Sequence, residues 1–140
     1  MTRRKGEEGA TLLEFAVSSA VLFLFLFGIF AFCAALYSYN FVSDAAREAS
    51  RYAMVRGSSC TGFSDCSITS AQVQSYVRAL GYPGINTSNL TASRTFSASG
   101  VPGSTVTVTV TYNFTPLIPF WSQSGKALQM SSSSQMVISQ

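Results

Sequence analysis

The sequence contains no histidine. That absence removes the side chain used most often as a general base, as a metal ligand and as the partner of a nucleophile. Charge is scarce too. Charged residues make up 11% of the chain, about half the share of an average soluble domain. The acids are Glu7, Glu8, Glu14, Asp44, Glu48 and Asp65, and none forms a pair placed for acid–base work. The net charge of +3 is small and scattered. No stripe of Lys or Arg is interleaved with aromatics, as a nucleic-acid surface requires. These gaps argue against an enzyme. They also leave no call for a cofactor, a metal, a small-molecule substrate or a nucleic-acid partner.

Cysteine is sparse, and its three copies differ by context. Cys33 lies in an apolar run and reads as a small buried hydrophobe. Cys60 and Cys66 flank the polar loop "CTGFSDC", a spacing that suits a disulfide closing a turn and an oxidising compartment. No further ligand stands nearby to make this pair a metal site.

What the chain does have is a long uncharged stretch. The 22 residues Phe15–Leu36, "FAVSSAVLFLFLFGIFAFCAAL", contain no Asp, Glu, Lys or Arg. As a helix they span roughly 33 Å, enough to cross a bilayer core. Arg3, Arg4 and Lys5 precede the run and are expected to stay in the cytoplasm, which sends everything after Leu36 outward. The helical pattern continues beyond the run. Asp44, Arg47, Glu48 and Arg51 recur at helical spacing as one polar stripe, with Val42, Ala45, Ala49, Tyr52 and Ala53 opposite. No Pro or Gly intervenes between Ile29 and Gly57. The sequence predicts one helix from about Ala10 to Arg56, closed by Gly57. A stripe of small residues, Ala16, Ala20, Gly28, Ala31 and Ala35, falls on one side. It suits close helix–helix packing, although an Ala- and Phe-rich segment can produce such a stripe by chance.

The second half is smaller in pattern. "SAQVQSYVRALGY" reads as a short amphipathic helix with Ser70 as N-cap and Gly81 as its stop. "TFSAS", around Phe96, reads as a first strand. "TVTVTVTYNF" is the cleanest strand, with Val106, Val108, Val110, Tyr112 and Phe114 on one side and threonines on the other. Gly100 and Pro102-Gly103 predict a hairpin between them. "TPLIPFW" carries two prolines and is expected to wrap over the sheet, burying Phe120 and Trp121. A last strand is expected from about Gln129 to Ser139, with Met130, Met136 and Ile138 inward. The valine–threonine strand has a rival reading as an exposed edge for partner addition. The expected class is α+β: a long N-terminal helix, transmembrane then amphipathic, and a small head of one helix and a three-stranded antiparallel sheet.

The first residues carry a resemblance. A short basic leader ends at Gly9, and "GATLLEFAV" follows. This resembles the class III signal of type IV pilin-like proteins. "FGIFAF" and "ALYSYNFVSDAAREASRYA" are similar to TadE-like minor pilins, or pseudopilins, of the tight-adherence (Tad/Flp) pilus system. The resemblance implies cleavage after Gly9 by a prepilin peptidase and a mature chain beginning at Ala10. It makes Glu14 the fifth mature residue, which pairs with a neighbouring subunit's amine and sets register. A local role for Glu14, neutralising the helix N-terminus at the membrane interface, stays open. The implied plan is a cytoplasmic leader (1–9), a long helix (10–57, crossing the membrane at about 15–36) and an extracytoplasmic head (58–140). The implied partners are the inner membrane, the peptidase, other pilin subunits and the pilus assembly platform, with the head possible in an extracellular pilus. Two details depart from related groups. Ala10 replaces the phenylalanine usual at the start of other type IV pilins. Phe15 stands where major Flp pilins tend to have tyrosine, and those also lack a sizeable head.

Other readings compete. A cleaved signal peptide would have a shorter apolar core, and a cut after Ala35 would sever a well-patterned helix. A lipoprotein at Cys33 is opposed by bulky Phe32. A plain uncleaved anchor leaves Glu14 without a reason. An anchored binding module would show exposed head aromatics, for which Phe120-Trp121 is the candidate stretch. A pseudopilin of a type II secretion system is a further alternative, on which several head features bear.

Overall fold

The computed structural model describes residues 7–62, 64, 66, 68–116 and 127–139, with the backbone alone at Glu7 and Glu8. Its elements are α1 (Glu7–Met54), α2 (Ser70–Ala79), a 3-10 turn (Thr87–Asn89), β1 (Leu90–Phe96), β2 (Thr105–Phe114) and β3 (Leu128–Val137). The expected α+β class, with one long N-terminal helix, one further helix and three antiparallel strands, is the observed one. The chain forms two compact units, Met1–Ala34 and Ala35–Gln140. The second half of α1 therefore belongs to the head's own core.

In the first unit α1 is bare. Leu12, Leu13, Phe15, Leu22, Phe25, Ile29 and Phe32 are all exposed. An 18-residue window of the helix has a mean hydropathy of 2.6 and none of it is buried. A core helix of a soluble domain is mostly buried, and the window of this one is not. Cys33 is a free thiol exposed on the same helix, so its expected burial is not supplied by the protein itself. Ser19 satisfies its own hydroxyl by donating to the Phe15 and Ala16 carbonyls at 2.7 and 3.1 Å, which lowers the cost of a serine in an apolar segment.

In the second unit α1 turns amphipathic as its sequence predicts. Phe41, Val42, Ala45, Ala46, Ala49 and Ala53 are buried in the core. The opposite stripe carries ion pairs from Arg47 to Asp44 (3.9 Å) and from Arg51 to Glu48 (3.8 Å). Both are exposed i, i+3 pairs and contribute little to stability. Alanines on the buried face let the helix backbone approach the sheet, and the Ser50 hydroxyl bonds that of Ser134 at 2.9 Å. The helix stops at Met54, short of the expected Arg56. There the Arg56 N–H bonds the Ala53 carbonyl in a tighter turn (3.1 Å).

β2 is the centre of a β1–β2–β3 antiparallel meander. The edge-strand reading of the valine–threonine repeat is thereby overturned, because both sides of β2 are hydrogen-bonded. Val106, Val108 and Val110 are fully buried and Tyr112 nearly so, each worth about 1.5–3 kcal/mol of burial. Phe114 is partly buried against the same core, as is Met136, while Met130 and Ile138 are buried. β1 begins at Leu90, six residues before Phe96, where the sequence signal centred. Its inward positions are Leu90, Ala92, Arg94 and Phe96, and an arginine in that set disguises the alternation. Arg94 lies inward by placing its guanidinium over the Phe96 ring, 4.1 Å from the centroid. The β1–β2 connection turns at Gly100 (φ 75°), where a Cβ would stand 3.2 Å from the Phe96 ring.

α2 is capped by Thr69, not Ser70. The Thr69 hydroxyl accepts the Gln72 N–H (3.3 Å) and the Thr69 N–H donates to the Gln72 side chain (2.7 Å), a complete capping box. The helix buries Val73 and Val77 and ends at Ala79, with Leu80 as its C-cap and then Gly81, whose φ of 66° favours glycine. Tyr52 of α1 stacks on Tyr76 of α2, with centroids 4.1 Å apart and planes 11° from parallel. The Arg56 guanidinium covers Tyr52 at 3.7 Å. Cys60 and Cys66 are joined by a disulfide. The "TPLIPFW" stretch, with Phe120 and Trp121, lies outside the described residues beyond Pro116.

Candidate functional site

The residues singled out at the chain's start stand on α1. Gly9 and Ala10 are inside the helix and exposed, and so is Glu14, one turn beyond Ala10. Nothing lies within 4 Å of where a Cβ on Gly9 would stand. A glycine inside a helix costs roughly 0.5–1 kcal/mol relative to alanine. Among the described residues no close approach offsets that cost at Gly9. Gly28 stands in the same open space.

From Phe15 to Ser43 runs a stretch of 29 residues with no Asp, Glu, Lys or Arg. Among the described residues the ion pairs are those of the head-side stripe, and neither includes Glu14. The carboxylate has no cation within reach on its C-terminal side. A cleavage between Gly9 and Ala10 would create one, an α-amine a single turn away and beside the helix N-terminus, where negative charge is favoured.

The small-residue stripe is only partly free. Ala35 packs against the head core. Ala16, Ala20 and Gly28 are exposed, and Ala31 is half-covered. No group of three or more His, Cys, Asp or Glu side chains close enough to hold a metal occurs among the described residues. A shallow groove lies in the head between the Asp44–Arg51 stripe and Leu80–Pro83. Sequence reading did not anticipate it. Its one visible signal was the aromatic turn "GYPG" after α2.

Fold and site together define a class: a helix long and apolar enough to cross a membrane, running on into the core of a small α+β head. Residues 9–51 match the model of the TadE-like protein family. No curated protein and no solved structure matches the chain.

Proposed function

We propose that the chain is made as a prepilin, is cut after Gly9 by a prepilin peptidase, and serves as a minor pilin (pseudopilin) of a tight-adherence, Flp-type pilus. In this reading the apolar part of α1 first holds the protein in the inner membrane. Arg3, Arg4 and Lys5 lie on the cytoplasmic side and the head faces outward. Cleavage removes those cations and frees the Ala10 amine. When the helix leaves lipid for a bundle of like helices, that amine and the Glu14 carboxylate enter an apolar interior. Leaving either charge buried alone costs about 3–5 kcal/mol, so each subunit's Glu14 is held against an amine, and the pair fixes axial register.

The observation that carries this reading is Glu14 itself. It is an exposed carboxylate four residues after Ala10, at the head of 29 uncharged residues. The family match begins at Gly9, the residue before the proposed scissile bond. A plain anchor would need neither feature.

The test is assembly of Glu14→Ala beside Glu14→Asp in cells carrying the pilus machinery. Glu14→Ala is expected to insert and to be processed normally. Its recovery in sheared pili or in cross-linked pilin complexes should fall by about 100-fold, the equivalent of roughly 3 kcal/mol. Glu14→Asp should retain part of the activity. Equal recovery of Glu14→Ala and the unaltered chain would remove the register role.

A further inference from the structure

We infer that the Gly81–Gly84 turn of the head is a second membrane contact, seated among the lipid headgroups beside the point where α1 leaves the bilayer. This rests on the reading that the apolar part of α1 crosses a membrane.

The turn is fixed to the helix just past the end of the apolar run. The Tyr37 hydroxyl donates to the Pro83 carbonyl at 3.0 Å. Tyr82 meets Phe41 edge-on with centroids 4.7 Å apart. Tyr37 and Phe41 are one helical turn apart, so these contacts hold the turn level with residues 37–41. Each interfacial layer of a bilayer is about 5–7 Å deep. Tyr37–Asn40 rise about 6 Å beyond Leu36 and so occupy that layer.

The chemistry on this level suits headgroups. Tyr37, Tyr39 and Tyr82 remain 44%, 55% and 36% exposed. Tyrosine is enriched at membrane interfaces because its ring is apolar and its hydroxyl wet. No Asp, Glu, Lys or Arg occurs between Phe15 and Ser43 or between Ala79 and Ser93. Charge begins only at Asp44, about 10 Å along the helix from Tyr37. There Asp44, Arg47, Glu48 and Arg51 face the far side of the same turn across the groove. An uncharged aromatic rim followed by a charged belt is the order in which a protein meets lipid and then water. A solution-facing turn or a site for a neighbouring subunit would place no such limit on charge.

The test uses the full chain, with Cys33→Ser, reconstituted in phospholipid vesicles and spin-labelled at one introduced cysteine at a time. Collisions with oxygen, which concentrates in lipid, are compared with those of a water-soluble nickel chelate. Phe25→Cys marks the membrane interior. Ala98→Cys marks the opposite end of the head, beside the end of α1. The oxygen-to-nickel ratio at Tyr82→Cys should match that at Tyr39→Cys, exceed that at Ala98→Cys several-fold and fall below that at Phe25→Cys. In the unsubstituted protein, paramagnetic lipid headgroups should broaden the amide resonances of Tyr82, Gly84 and Ile85 and spare that of Ala98. A water-like ratio at position 82 with position 25 still in lipid, or no broadening at the turn, would overturn the inference and leave the membrane span standing. A water-like ratio at position 25 would remove the span and the inference together.

Discussion

A carboxylate costs most where water and cations are both withdrawn, and Glu14 stands at the door of such a place. Its separation from any charge on its C-terminal side is legible in the sequence, because nothing charged follows it for 29 residues. The head's residues divide differently. Ala45, Ala49 and Ala53 fall on the apolar side of the helical pattern, and with Ala46 they are wholly buried. They set how closely α1 approaches the sheet. Ala49→Leu should overpack that contact and destabilise the head by about 1–3 kcal/mol in urea unfolding. An unchanged midpoint would show that the helix can retreat at no cost. Tyr76 supplies a pH test. Burial, then the Glu48 carboxylate that accepts its hydroxyl at 3.3 Å, raise the phenol above its ordinary value of 10.0, with Arg56 opposing. The unfolded chain releases that proton at the ordinary value, so folding holds it more tightly. The contribution is whole below about pH 10 and is lost as pH rises through the raised folded value. Tyr76→Phe should therefore flatten the alkaline fall in stability. An equally steep fall in that variant would assign it to other groups.

Among the elements, those with strong periodicity were readable and those with a compensated irregularity were not. β2 alternates without a fault and was placed to the residue. β1 was found only at its end, because Arg94 sits among its inward positions and is accommodated by a ring that pattern alone cannot foresee. The cap of α2 was displaced by one residue. Ser70 and Thr69 are both good caps, and the reciprocal bonds with Gln72 settle the choice. Thr69→Ala should cost about 1 kcal/mol of head stability, read as a shifted denaturation midpoint, whereas Ser70→Ala should cost less. Equal effects would remove the capping box as the reason for the helix start. The disulfide closes a short loop, sequence separation 6. Its reduction should lower head stability by about 2 kcal/mol through the freed unfolded chain, and an unchanged midpoint under reductant would contradict that.

At the scale of the whole molecule, packing groups the chain into two compact units. The compact head takes in α1 from Ala35 onward, so one helix serves two environments. Sequence showed the change from all-round apolar to amphipathic, but not where the core begins to claim the helix, because Ala35 and Ser38 look alike in either setting. The role proposed for the first unit rests on a Gly9 with open space where a Cβ would stand, a Glu14 without an ion pair among the described residues, and a family match that opens at Gly9. Gly9→Leu should leave insertion intact and block processing, since a branched side chain would crowd a peptidase cleft, and immunoblots should show one unshifted, full-length band. The most direct measurement is the intact mass and N-terminal sequence of the membrane-extracted protein, with and without the prepilin peptidase. The account predicts a chain beginning at Ala10 when the enzyme is present and at the original start when it is absent. A functional, pilus-associated protein that still carries Gly9 at an uncut N-terminal segment would contradict it.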